Sequence, residues 1–186
     1  RRGDGHRRGA DEDTGHASSL LEQLKCNKAK KIELSDIVGH VMEFCTDQHG
    51  SRFIQLKLES STPAETAAVF DEVMADVISL MTDVFGNYVV QKFLEHGSPE
   101  QREAIARALQ NHVLSLSLQM YGCRVVQKAL EVFGLERQQM VVAELEAQVM
   151  RCVRDQNGNH VIQKCIECVP TPHVAFMIDS FTGHVA

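Results

Sequence analysis

Glycine recurs at a fixed interval of 36 residues through most of the chain, at Gly50, Gly86, Gly122 and Gly158. The same step carries Gln55 to Gln91, Gln127 and Gln163, and Glu59 to Glu95, Glu131 and Glu167. Apolar positions keep the period as well: Val41, Val77, Val113 and Val149 form one series, and Val73, Leu109, Leu145 and Phe181 another. No residue is gained or lost across the four units. A constant period of this length marks a repeat array. Each unit is too small to bury its own apolar face, and stacking on its neighbours completes the core.

The aligned segments are HGSRFIQLKLE (49–59), FGNYVVQKFLE (85–95), YGCRVVQKALE (121–131) and NGNHVIQKCIE (157–167). Phe53, Ile54 and Leu58, repeated as Val89, Val90 and Leu94, give each segment an apolar stripe at helical spacing. Ser51, Arg52, Gln55 and Glu59 share the opposite side. A second helix, PAETAAVFDEVM (63–74), opens on proline, which suits a first helical turn. A short element such as ADVISLMTD (75–83) supplies a third. The pattern predicts an all-α solenoid of three-helix units at 39–74, 75–110, 111–146 and 147–182. Residues 183–186 would enter a fifth unit, as expected of part of a longer array, and residues 18–38 would form a leading cap helix. The segment 1–17 is charged and poor in large apolar residues, which predicts a disordered tail. Arg1, Arg2, Arg7 and Arg8 would make it a basic arm, but Asp11, Glu12 and Asp13 dilute that charge.

Composition sets outer limits. Hydrophobic residues are 44% of the 186, enough for a packed core, yet no apolar run is long enough to span a bilayer. The six cysteines show no dense framework, which predicts free thiols and a reducing, cytoplasmic setting. Cys165 and Cys168 form one CxxC without a second pair at finger spacing, so they read as helix cysteines rather than a metal site. No metal or cofactor is expected. The formal net charge of −6 argues mildly against nucleic acid, unless basic groups are concentrated on one stripe.

The polar face supplies such a stripe. Its first position takes Ser51, Asn87, Cys123 and Asn159, its second Arg52, Tyr88, Arg124 and His160, and its third always glutamine. The second set all carry a flat π-face. One flat group and one short polar group per unit suit a surface that reads stacked planar objects, and single-stranded RNA offers them. A glutamine amide donates and accepts, so Gln55, Gln91, Gln127 and Gln163 can match a base edge. Lys92, Lys128 and Lys164 follow three of these glutamines and would attract phosphate. The first unit departs, with Leu56 in the lysine position and Lys57 one place later.

These triads, in the order SR…Q, NY…Q, CR…Q and NH…Q, and the stretch DQHGSRFIQ (47–55), resemble the first four repeats of the Pumilio homology domain of PUF proteins. The resemblance covers about residues 18–186. It implies a right-handed crescent that binds single-stranded mRNA at 3′ untranslated elements, one base per repeat and antiparallel. By position, Ser51 with Gln55 and Cys123 with Gln127 resemble adenine readers, and Asn87 with Gln91 and Asn159 with Gln163 resemble uracil readers. Arg52, Tyr88, Arg124 and His160 resemble the stacking residues. The implied site is 5′-UAUA-3′, and the implied outcome is repression or decay through deadenylase or repressor proteins. Four stacked bases at about 2 kcal/mol each give roughly 8 kcal/mol. Association costs about 4–15 kcal/mol, so four units alone are expected to bind weakly.

Three other readings fit less of the pattern. A protein-binding solenoid explains the helices but not the invariant glutamine beside flat residues. A ribosome-biogenesis relative with little base preference does not need such regular triads. An enzyme using Cys123 and His160 would lack an oxyanion donor and an orienting acid.

Overall fold

The computed structural model describes residues 19–26 and 32–182, all of whose regular elements are helical. The tail predicted at 1–17 and the fifth-unit start predicted at 183–186 lie outside the described residues. Helix α1 covers residues 19–25. Four units follow, each made of a short helix, a middle helix and an outer helix. The short helices are α2 (Val41–Cys45), α5 (Val77–Thr82), α8 (Val113–Ser117) and α11 (Val149–Arg154). The middle helices are α3 (Gln48–Leu58), α6 (Gly86–His96), α9 (Gly122–Val132) and α12 (Gly158–Cys168). The outer helices are α4 (Pro63–Ala75), α7 (Pro99–Leu109), α10 (Leu135–Leu145) and α13 (Ala175–Thr182).

The periodic glycine marks a close approach of short and middle helix within each unit. A Cβ on Gly122 would sit 2.7 Å from the Leu116 carbonyl oxygen, and one on Gly158 would sit 2.8 Å from that of Cys152. Gly50 meets the Phe44 backbone in the same way. The short helix therefore lies directly against the start of the middle helix, at a distance only glycine permits. In three units an aspartate three residues before the glycine caps that start. Asp47, Asp83 and Asp155 each accept two backbone N–H bonds through Oδ1.

Thr62 and Ser98 close capping boxes with Glu65 and Gln101 and are followed by proline, so α4 and α7 begin where the sequence signals a start. Entry to the short helices alternates. Gly39 and Asn111 have positive φ, and the carboxylates of Glu72 and Glu144 accept N–H bonds around them, from Gly39 and Val41 and from Asn111 and Val113. His40, Asp76, His112 and Gln148 stand at the N-caps of the short helices.

One hydrophobic core runs from Leu20 in α1 to Met177 in α13, through Ile54, Val90, Val126 and Ile162 of the middle helices. Middle helices stack in order, α3 on α6, α6 on α9 and α9 on α12. One local expectation needs correction. The leading segment is not one helix over 18–38: α1 stops at residue 25, residues 32–33 are irregular, and Leu34–Ile37 form a 3-10 turn. A capping box between Glu33 and Asp36 starts that turn, which buries Leu34 and Ile37. In the fourth unit the outer helix starts late, because Thr171–His173 form a 3-10 turn around Pro172.

Candidate nucleic-acid interface

The middle helices bring the triads into register side by side. Arg52, Tyr88, Arg124 and His160 are exposed. The Arg124 Nη1 donates to the Tyr88 hydroxyl at 3.0 Å, so flat groups of adjacent units touch. The Arg124 guanidinium also lies 5.8 Å from the Tyr121 ring centroid.

The first triad position departs from the expected surface. Ser51 is 2% exposed, Asn87 0% and Cys123 4%, whereas Asn159 is half-buried. These side chains form the wall of the core rather than the outside of the helix. Ser51 Oγ donates to the Phe85 carbonyl of the next unit at 2.9 Å. Asn87 Nδ2 donates to the carbonyls of Asp83 (2.8 Å) and Val84 (3.1 Å), and Asn159 Nδ2 repeats the pattern on Asp155 and Gln156. Cys123 Sγ donates to the Met120 carbonyl at 3.3 Å. The choice of cysteine follows from this burial. Burial also pushes the Cys123 thiol up, opposite to the activation a nucleophile requires.

The third position reaches back to the first. Gln55 Nε2 donates to Ser51 Oγ at 3.0 Å, and Gln91 Nε2 to Asn87 Oδ1 at 2.9 Å. Gln127 Nε2 donates instead to the Cys123 carbonyl at 3.1 Å, since a thiol is the poorer acceptor. Each donation turns the Oε1 end of the same amide away from its partner. Gln55, Gln91 and Gln127 are half-buried and Gln163 is exposed.

The lysines stand differently from free phosphate ligands. Lys92 pairs with Glu59 of the preceding unit at 2.6 Å. Lys128 bridges Glu95 (2.8 Å) and Glu131 (3.0 Å), and Lys164 bridges Glu131 (3.1 Å) and Glu167 (3.1 Å). The result is a ladder of alternating charge across the unit boundaries. Donating to Glu95 and Glu131 raises the Lys128 pKa, and the bond from Lys128 lowers that of Glu131. The periodic lysines therefore join units along the polar face of the middle helices. In the first unit Leu56 is exposed, while Lys57 pairs with Glu33 (2.6 Å) and Lys25 with Asp47 (2.9 Å), tying the leading segment down. Sequence reasoning registered the Glu59 series and the lysine series separately. Their constant offset of 33 residues was the signal for the ladder.

Among the described residues no group of three or more His, Cys, Asp or Glu is placed to hold a metal ion. Cys165 is buried, with its thiol pushed up to about 12 by burial, and Cys168 is half-buried one turn later on α12.

A family model described as the Pumilio-family RNA binding repeat matches residues 40–74, 76–109, 112–146 and 148–180. Pumilio homolog 3 of Arabidopsis thaliana is 58% identical over 62 residues, which are 33% of this chain and 6% of that protein. The Puf3 RNA binding domain bound to Cox17 RNA 3′ UTR recognition sequence site B superposes with a TM-score of 0.86 at 49% identity, covering 89% of this chain and 47% of that one. PUF-8 in complex with PBE-RNA superposes with a TM-score of 0.82 at 42% identity, covering 88% and 48%. The chain thus spans about half the length of these solved domains and a small part of the full-length relative. With the repeat model matched four times in register, on the same middle helices that carry the triads, the chain belongs to the Pumilio family of RNA-binding repeat proteins.

Proposed function

We propose that the four middle helices bind single-stranded RNA, one base per unit, through the triads Ser51–Arg52–Gln55, Asn87–Tyr88–Gln91, Cys123–Arg124–Gln127 and Asn159–His160–Gln163. The observation that carries this reading is the shared architecture of the triad. In each unit a flat residue is exposed beside a glutamine, and in three units that glutamine is held by the first-position residue. Flat side chains stack on base faces, and oriented amides meet base edges. The matching Puf3 and PUF-8 domains were solved with RNA bound.

The proposed site is 5′-UAUA-3′, with the first unit on the 3′ base. Lys92, Lys128 and Lys164 add positive charge at the edge, tempered by their glutamate partners. The proposed setting is a cytoplasmic mRNA 3′ untranslated region, with repression or decay carried out by deadenylase or repressor proteins.

The test is a change of base preference. Asn87→Ser/Gln91→Glu resembles the family's guanine-reading pair. Binding of an RNA containing UAUA, and of the same RNA with guanine opposite the second unit, is measured at low salt on both proteins. The variant should prefer guanine by about fivefold or more, on the basis of about 1–3 kcal/mol for a well-placed bidentate pair in direct base readout. Equal binding of both RNAs by both proteins would overturn base reading by the triad.

A further inference from the structure

Corresponding grooves lie at successive unit interfaces, and one of them is open. Between α4 and α7 a groove of about 610 Å³ runs over Leu58, Pro63, Ala67 and Phe70, with Asp71 and Glu100 along it. Between α7 and α10 the corresponding groove is only about 200 Å³. No triad residue lines either one.

The two grooves differ at two facing positions. Ala67 and Gln101 of the open groove stand where Glu103 and Arg137 stand one unit later. There, Arg137 lies beside Pro99 and Ala106 and holds Glu103 in a two-pronged ion pair, with Nε donating to Oε2 at 2.9 Å and Nη2 to Oε1. In the open groove Gln101 turns its Oε1 back to the Ser98 N–H at 2.9 Å, and Ala67 contributes only a methyl group. Pro63 and Ala67 stay exposed there, above the buried Leu58 and Phe70.

We propose that the α4–α7 groove is a docking site for a partner protein segment that presents an arginine beside an apolar residue. In the filled groove an arginine shares the lining with Pro99, Ala106 and Phe133, and its guanidinium meets a carboxylate, the combination that a long amphipathic cation suits. The open groove keeps an apolar lining and carries charge of the complementary sign. Asp71 and Glu100 are exposed, neither forms an ion pair among the described residues, and no lysine or arginine lines the groove. The same acidic lining disfavours a phosphate backbone. This proposal is independent of the RNA reading, because the two surfaces share no residue.

The test uses the acetylated pentapeptide amide Ala-Leu-Arg-Leu-Ala and its citrulline analogue, titrated into the ¹⁵N-labelled chain. The arginine peptide should give saturable shifts at the backbone amides of Ala67, Gly97 and Gln101. The citrulline peptide should bind at least tenfold more weakly. Ala67→Glu/Gln101→Arg, which installs the pair found in the sister groove, should abolish the shifts while leaving RNA affinity unchanged. Asp71→Asn, at an exposed position, should weaken the peptide several-fold without altering the thermal midpoint. No saturable shift, equal affinity for the citrulline peptide, or undiminished binding to both variants would overturn the proposal.

Discussion

The hydroxyl of Tyr88 accepts a 3.0 Å hydrogen bond from Nη1 of Arg124, its counterpart one unit later. A base inserted between these flat groups has to displace that contact. Tyr88→Phe removes the contact and keeps the ring. It should bind a UAUA RNA as well as the parent chain or up to about threefold better, since a net hydrogen bond is worth about 0.5–1.5 kcal/mol and this one is exposed. Tyr88→Ala removes the stack and should cost about 1–3 kcal/mol. Fluorescence anisotropy on the three proteins checks both, and parental affinity in Tyr88→Ala would rule out stacking by this residue.

Ser51 holds two groups at once, donating to the Phe85 carbonyl and accepting from Gln55. Ser51→Ala leaves that carbonyl without this partner and frees the glutamine. A loss of about 0.5–1.5 kcal/mol in unfolding free energy is expected from the lost hydrogen bond, since the Phe85 carbonyl keeps the Tyr88 N–H at 3.3 Å. A reduced preference for adenine over guanine at the 3′ base should accompany it. Urea denaturation and competition binding separate the two effects.

The charge ladder makes stability depend on pH in the acid range. The Glu131 pKa is lowered by its bond from Lys128, so the folded chain binds that proton less readily than the unfolded chain. The stabilisation is therefore present above the ordinary glutamate pKa and is lost as pH falls through the lowered folded value. Glu131→Gln should cost about 0.5–1 kcal/mol at pH 7, typical of an ion pair in a network. The difference from the parent should vanish in strong acid. Thermal midpoints measured from pH 7 to pH 2 check the sign, and a constant offset across that range would contradict it.

Glycine at the unit start is a packing requirement, not a flexible joint. An added Cβ at Gly122 meets the Leu116 carbonyl oxygen at 2.7 Å and its Cα at 3.0 Å, so α8 and α9 must separate. Gly122→Ala should destabilise by about 1–3 kcal/mol through overpacking, although alanine is intrinsically better in helices by about 1 kcal/mol. Gly134 provides the contrast, with nothing within 4 Å of an added Cβ. It occupies the N-cap position that Thr62 and Ser98 hold in earlier units, with closely similar backbone angles. Gly134→Ser should stabilise by a few tenths of a kcal/mol. Calorimetry on the two single variants tests the pair of signs.

Much of this molecule was legible because the sequence repeats itself. The Gly50 series located the units, Pro63 and Pro99 located the starts of the outer helices, and Ile54 and Val90 identified the buried stripe. Periodicity within one helix could not show that Ser51, Asn87 and Cys123 are enclosed. Their burial depends on the neighbouring turns, such as the Phe85 carbonyl that meets Ser51. The same holds for Lys128, whose partners lie one unit back and one helical turn on. The leading segment repeats nothing else in the chain, so its break before the Glu33–Asp36 capping box carried no periodic signal.

The ladder also fixes the order in which units can be rearranged. Its link always runs from a glutamate of one unit to the lysine 33 residues later, in the next. The second and third units each offer both halves of that link, so exchanging them preserves every link of the ladder. The first unit offers Glu59 forward but Leu56 backward. Placed inside the array, it would leave the carboxylate of the preceding unit facing an isobutyl group. The units are therefore directional parts with matched ends, and a rewritten RNA target is better reached by exchanging triads within units than by shuffling whole units.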